Sequence, residues 1–178
     1  MDTVKLHDKH FKIFIDKSEI ETAVKAVAKK INEDCAYDVP LFLSVLNGSF
    51  MFTSDLLKNI HIPCELSFVK LASYSGVGTT GKVNELIGLN ESIKGRNIII
   101  VEDIVDTGIT LEMLIDAIEK YEAKSVKIAT LLFKPKAYQK NRNIDYVGME
   151  VGNEFLVGYG LDYNARGRNL ADIYKIIE

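Results

Sequence analysis

The sequence predicts an α/β fold: a central, mainly parallel sheet flanked by helices. Two observations lead there. Apolar runs of the kind found in strands covered on both faces occupy residues 40–46, 97–101 and 125–133. Segments with helical periodicity separate them, and parallel neighbours require such crossovers. The 178 residues suit a single domain spanning 1–178, with apolar and charged shares (47% and 26%) ordinary for a globular chain.

Taken in order, Ser18-Glu19-Ile20-Glu21 has the form of a capping box. It opens a helix whose apolar face carries Ile20, Val24, Val27, Ala28 and Ile31. The strand at 40–46 is broken by Asn47-Gly48, and 49–58 reads as a short helix. Residues 64–71 alternate like a strand that ends at Ser73-Tyr74, and the Gly/Thr-rich stretch 75–83 reads as a mobile loop. A buried strand at 97–101, a helix at 110–121 and a long strand at 125–133 follow. Shorter strand-like pieces lie at 146–149 and 155–159, and the final stretch carries Ile173-Tyr174-Lys175-Ile176-Ile177. There is no internal repeat or low-complexity tract.

Net charge is −3 and the pI about 5.7, which excludes a general electrostatic affinity for nucleic acid or anionic membrane. Cys35 and Cys64 lie far apart and match no metal or redox spacing, so they read as unpaired thiols. Met1-Asp2-Thr3-Val4-Lys5 is polar, and no apolar run is long enough for a bilayer. The expectation is a soluble, cytoplasmic protein.

Gly76-Val77-Gly78-Thr79-Thr80-Gly81-Lys82-Val83 matches the dinucleotide glycine pattern and nearly matches a P-loop. Such a turn must open a helix to receive phosphates, but the residues that follow, 83–90, read as a short strand leading to a turn. Val83 also stands where a P-loop needs Ser or Thr, and the H-R-D and D-F-G elements of kinases are absent. The stretch reads as a flap or hairpin tip.

The richer signal is Asn97-Ile98-Ile99-Ile100-Val101-Glu102-Asp103-Ile104-Val105-Asp106-Thr107-Gly108-Ile109-Thr110. A buried strand meets two adjacent acids, then a third acid, two hydroxyls and a glycine before a helix. Acids accept from sugar hydroxyls or hold Mg²⁺ through water, while amides at a helix start suit a phosphate. Adjacent acids after an apolar run carry a desolvation cost that a surface role does not require.

This segment resembles the phosphoribosyl pyrophosphate motif of the type I phosphoribosyltransferases, and nearly the whole chain resembles the hypoxanthine (hypoxanthine–guanine) phosphoribosyltransferases. Further landmarks in the family's order are Val45-Leu46-Asn47-Gly48, Ser73-Tyr74, Leu131-Leu132-Phe133-Lys134-Pro135 and the stretch 155–164, with Arg168 following. The resemblance implies a small hood beside the main sheet, a mobile flap over the site, and transfer of phosphoribose to N9 of an oxopurine. The substrates it implies are phosphoribosyl pyrophosphate and an oxopurine base, the cofactor Mg²⁺, and the assembly a homodimer or homotetramer.

The resemblance also distributes roles. Glu102 and Asp103 hold the ribose hydroxyls and Mg²⁺, with Asp162 as a further metal ligand. Asp106 is the general acid/base beside N7 of the purine, a role whose loss costs about 10²–10⁴ in turnover. Thr107, Gly108, Ile109 and Thr110 cradle the 5′-phosphate. Lys134 donates to O6, Phe155 stacks on the ring, and the backbone of Leu156 reads the base edge. Asn47, Gly48 and Arg168 bind pyrophosphate, Arg166 being set aside in favour of Arg168, and Ser73 and Tyr74 belong to the flap. Many members carry Lys where Asn47 stands, which removes a cation but leaves backbone donors; a non-proline cis peptide is common in that loop. A xanthine-preferring enzyme, or a regulator that senses phosphoribosyl pyrophosphate, are the alternatives.

Overall fold

The computed structural model describes residues 3–72, 85–87 and 92–177. The elements are β1 (Thr3–Leu6), β2 (Lys9–Ile15), α1 (Lys17–Asp34), β3 (Leu41–Val45), α2 (Phe50–Leu57), β4 (Glu65–Ala72), β5 (Glu85–Ile87), β6 (Asn97–Val105), α3 (Ile109–Glu119), β7 (Ser125–Phe133), β8 (Tyr146–Glu150), β9 (Leu156–Val157) and β10 (Ile173–Ile177). They make a sheet in the order β5-β4-β3-β6-β7-β8 and a smaller one in the order β1-β2-β10-β9. Strands β4, β3, β6, β7 and β8 run parallel, and only β5 is antiparallel to its neighbour. The expected parallel α/β core is present.

Its layers follow from the residue pattern. Every residue of β3 is buried, because helices cover both faces. Phe42, Ile99 and Val101 face the layer of α1 and α2, while Leu41, Leu43, Ile98 and Ile100 pack with Leu111, Leu114, Ile115 and Ile118 of α3. Each such side chain, fully buried, contributes about 1.5–3 kcal/mol. The anticipated face of α1 is buried as read, with Ala23 added.

The helix cap lies elsewhere than expected. Asp16, not Ser18, caps α1: its Oδ1 accepts from the amides of Ser18 and Glu19, and Glu19 Oε2 accepts from the amide of Asp16. A capping box needs its acid three residues after the cap, and Glu19 meets that for Asp16. Glu21 pairs with Lys25 instead.

Three elements end more than one residue from where the sequence pattern puts them. β6 continues through Glu102 and Asp103 to Val105, because pairing with β7 persists to Val105 opposite Phe133. Helix α3 starts at Ile109, one turn residue after Gly108 at φ 80, and ends at Glu119. The 155–159 strand shrinks to Leu156–Val157, since Gly158 and Tyr159 turn to positive φ (97 and 46).

The β1–β2 hairpin was not anticipated. Phe11, Ile13 and Ile15 alternate along β2, and β10 pairs with β2 as β9 pairs with β10, so both ends of the described chain build the small sheet. Among the described residues no helix is long and apolar enough to cross a membrane. Both cysteines are free.

Candidate active site

The site lies at the carboxyl ends of β3, β6 and β7, where parallel sheets leave a crevice. After β3 the chain turns through Leu46, Asn47 and Gly48, with a cis peptide between Leu46 and Asn47. A buried hydroxyl cluster fixes this turn. Ser44 Oγ lies 2.7 Å from both Ser49 Oγ and Thr53 Oγ1, and Ser49 donates to the carbonyl of Val45 at 2.6 Å. The start of α2 is thereby tied to β3, leaving 46–48 as a short arch.

After β6, residues 106–108 lead into α3. Gly108 is the N-cap and has no side chain to take an amide, so the first turn of α3 keeps free donors toward the crevice. Thr107 Oγ1 accepts from the amide of Ile109 at 3.4 Å. Glu102, Ile104, Val105, Asp106, Thr107, Gly108, Thr110 and Leu111 line a cavity of about 100 Å³ here. The glycine is required twice over: by its φ of 80, and by the Tyr138 ring, which occupies the place a β-carbon would take. Tyr138 and the bond from Gln139 N–H to the carbonyl of Thr107 brace the turn from outside. Sequence reading missed this brace, because nothing in 135–143 marks it as part of the site.

Glu102 and Asp103 are adjacent on a strand, so they project to opposite sides. Glu102 lines the cavity at α3, 8% exposed, and no described residue bonds its carboxylate. Burial, with Asp103 next to it, pushes its pKa well up. Asp103 faces the Asn47–Gly48 arch, where its carboxylate fills the place of a Gly48 side chain. Burial raises it to about 6, against the opposing pull of the Ile104 amide (2.9 Å) and of Arg168. The pair therefore serves two sides of the crevice.

Lys134 begins the turn after β7, and its amide donates to the carbonyl of Val105 at 2.9 Å. That bond sets Lys134 against Asp106. The buried lysine's Nζ donates to Asp106 Oδ2 at 2.9 Å while Asp106 itself stays exposed.

A loop from 158 to 168 closes the far side. Arg168 donates from one Nη to the carbonyl of Gly160 (2.7 Å) and from the other to Asp162 Oδ1 (2.6 Å). Asp162 Oδ2 accepts from the amide of Ala165 at 2.7 Å. The carbonyl of Gly48 occupies the place of a Gly160 side chain, so this loop sits directly on the arch. Gly160 was another residue the sequence reading missed. Phe155, half exposed, stands edge-on to Tyr163 (5.9 Å, 84°) and near Phe11 (6.4 Å), so the small sheet supports it. Leu156 is buried in β9, its backbone paired opposite Lys175.

Among the described residues no three acidic, histidine or cysteine side chains form a metal cage. The donors present still fit Mg²⁺. It keeps several waters and takes one or two carboxylates beside substrate phosphates, and Glu102 offers oxygens that no described residue bonds. Protein donors engage both oxygens of Asp162, the Arg168 guanidinium on one and the Ala165 amide on the other. Ser73, Tyr74 and the glycine-rich stretch lie outside the described residues.

Residues 13–164 match the family model for the phosphoribosyl transferase domain. The chain is 39% identical over 160 residues to the hypoxanthine-guanine phosphoribosyltransferase of Bacillus subtilis, covering 89% of each. It is 39% identical over 166 residues to the bifunctional protein TilS/HprT of Listeria monocytogenes, where 93% of this chain spans 26% of that protein. Among solved structures, a hypoxanthine-guanine phosphoribosyltransferase from Bacillus anthracis superposes with a TM-score of 0.83 at 32% identity, covering 94% of this chain and 97% of that one.

Proposed function

Since the chain belongs to the phosphoribosyl transferase domain family, we propose that it transfers the phosphoribosyl group of phosphoribosyl pyrophosphate to N9 of hypoxanthine and guanine in purine salvage. The products are IMP or GMP and pyrophosphate. The bond from C1′ to the pyrophosphate oxygen breaks, the bond from N9 to C1′ forms, and the purine loses a proton. The observation that carries this reading is the Lys134–Asp106 pair at 2.9 Å, a donor and an acceptor side by side at a strand end. An oxopurine presents a matching edge, with O6 toward Lys134 and N7 toward Asp106, which holds or accepts the proton. Adenine carries a donor at position 6 and meets Lys134 unfavourably.

The remaining groups divide the phosphosugar. The amides of Gly108, Ile109 and Thr110, with the hydroxyls of Thr107 and Thr110, hold the 5′-phosphate at the start of α3. Glu102 and Asp103 hold the ribose hydroxyls and Mg²⁺, with Asp162 beside them, its charge felt at Asp103. When bound, the metal neutralises charge on the departing pyrophosphate. Asn47 and Gly48 offer backbone donors to that group and Arg168 a guanidinium. Phe155 stacks on the base, and the Leu156 backbone meets its edge. Residues 1–178 act as one domain in the cytoplasm, and the assembly is a homodimer or homotetramer, which light scattering on the eluted protein would decide.

The test is direct. The protein is mixed with phosphoribosyl pyrophosphate, Mg²⁺ and, separately, hypoxanthine, guanine, xanthine, adenine and uracil, and nucleotide and pyrophosphate are followed. Product with hypoxanthine and guanine, abolished by chelation, is expected. No product with any oxopurine sinks the reading, and binding of the phosphosugar without turnover would mark a regulator.

A further inference from the structure

The two segments assigned to pyrophosphate come from distant parts of the chain, and something must hold them in register. The arch at 46–48 precedes α2, while Arg168 ends the 158–168 loop. They meet at Gly160, where the carbonyl of Gly48 occupies the place of a side chain. Contact between two glycines limits how near the segments come but fixes no direction.

The neighbour of Gly160 supplies that direction. Tyr159 sits at φ 46, a left-handed conformation that a bulky residue rarely adopts unless its surroundings enforce it. Its amide donates to the carbonyl of Leu170 at 2.8 Å, and its ring is buried in the core cluster that contains Phe52 and Leu56 of α2. From there Tyr159 Oη donates to Asp55 Oδ2 at 2.7 Å. Asp55 belongs to α2, the helix that begins where the arch ends, and Lys58 donates to its other oxygen at 2.8 Å. Burial pushes the Asp55 carboxyl up, but the bonds from Lys58 and Tyr159 outweigh it and hold the group below its ordinary value. It is therefore ionised at neutral pH, and the phenol makes a charge-assisted bond to it. One residue on, the amide of Gly160 donates to the carbonyl of Arg168 at 2.9 Å, and the Arg168 guanidinium donates back to the carbonyl of Gly160 at 2.7 Å. A shift of Tyr159 thus passes directly to the guanidinium.

We propose that Tyr159 and Asp55 form a latch that positions the pyrophosphate end of the site, fixing the 158–168 loop against the Asn47–Gly48 arch so that Arg168 and the arch amides face one ligand. This rests on the phosphoribosyl transfer proposed above. Both are positioning residues, acting through Gly160, Arg168 and α2. A bond that served stability alone would not choose between substrates. The Asp55 side chain is 42% exposed, so water can take the phenol's place and no buried charge is left unmet. The base end is supported separately, Lys134 by the carbonyl of Val105 and Phe155 by Phe11 and Tyr163. Breaking the latch therefore damages one end of the site.

The test uses the full-length chain as wild type, Tyr159→Phe, Asp55→Ala, Asp55→Asn and the double variant Tyr159→Phe/Asp55→Ala. It measures KM for phosphoribosyl pyrophosphate, KM for hypoxanthine and inhibition by inorganic pyrophosphate. Tyr159→Phe and Asp55→Ala should each raise the first constant, and the pyrophosphate needed to halve the rate, about tenfold, the effect of one charged hydrogen bond. KM for hypoxanthine should stay at the wild-type value. The double variant should match the singles, because all three break the same bond. Asp55→Asn, which keeps an acceptor, should fall between wild type and Asp55→Ala. Tyr159→Phe removes a single oxygen and keeps the packed ring, so it decides the matter where Asp55→Ala fails to fold. An unchanged KM for phosphoribosyl pyrophosphate in Tyr159→Phe, an equal rise in both KM values, or effects that multiply in the double variant would each overturn the proposal. A wild type that turns over no oxopurine overturns the transfer reading itself, a separate failure.

Discussion

Gly48 lies against the carboxylate of Asp103 so closely that no β-carbon fits between them. The arch is backbone pinned by the Ser44, Ser49 and Thr53 hydroxyls, whereas the carboxylate of Asp103 is held by the one amide of Ile104, so the acid and not the arch would be displaced by a side chain at 48. Gly48→Ala is therefore expected to lower kcat/KM for phosphoribosyl pyrophosphate about 10²-fold, the scale for a misplacement near 1 Å. Steady-state kinetics alongside a thermal melt decides this; a variant that melts like its parent yet keeps full activity would refute it.

Lys134 and Asp106 form a pair but carry different tasks, so their variants should separate. Asp106→Asn is expected to lower kcat by about 10²–10⁴ for every oxopurine. Lys134→Ala should instead erode the preference for oxopurine over adenine, by up to about 10⁴. Competition assays with hypoxanthine and adenine read the second effect. A Lys134→Ala enzyme that rejects adenine as well as its parent would undo this account of specificity.

Burial lifts Asp103 from 3.8 to about 6, and Glu102 moves the same way. The folded protein therefore binds more protons than the unfolded chain between those values, and stability declines as pH rises through the window. Below the unfolded value the two states bind equally; above about pH 6 the native state carries the full cost of a buried ionised acid. Asp103→Asn should be more stable than its parent at pH 7, by on the order of 2 kcal/mol, with the gap closing toward pH 4. Urea titrations of the ligand-free protein at both pH values measure it, and a destabilised variant at pH 7 would count against the burial argument.

Arg168 spans the carbonyl of Gly160 and the carboxylate of Asp162 with separate nitrogens. A lysine keeps the charge but cannot make both contacts in that geometry. Arg168→Lys is expected to raise KM for phosphoribosyl pyrophosphate about tenfold, one charged hydrogen bond's worth, with a smaller change in KM for the base. Equal changes in both constants would argue for general loosening of the 158–168 loop.

The parallel core was legible because its strands carry unbroken apolar runs and α1 keeps a clean helical period. The acid and threonine signature was legible for a similar reason: few roles require Glu102, Asp103, Asp106 and Thr107 to Thr110 together. What escaped notice depends on distant partners. The cap at Asp16 hinged on which of two acids, Glu19 or Glu21, bonds backward. Tyr138 against Gly108, and Gly48 against Asp103 and Gly160, are contacts between segments that share no local pattern. The opposite facing of Glu102 and Asp103 appears only once β6 is known to continue to Val105. The small sheet escaped because β2 finds its partner β10 more than 150 residues later.

That pairing also sets an order of assembly. The phosphate cradle joins β6 to α3, neighbours in the chain, and needs only a short loop to close. The support for Phe155 needs Phe11 and Tyr163 together, with β10 laid beside β2. During synthesis the sugar-phosphate half can take shape while the nucleobase half waits for the last strand to emerge. A nascent chain stalled before Ile173 is therefore expected to grip a phosphate yet have no settled platform for a purine.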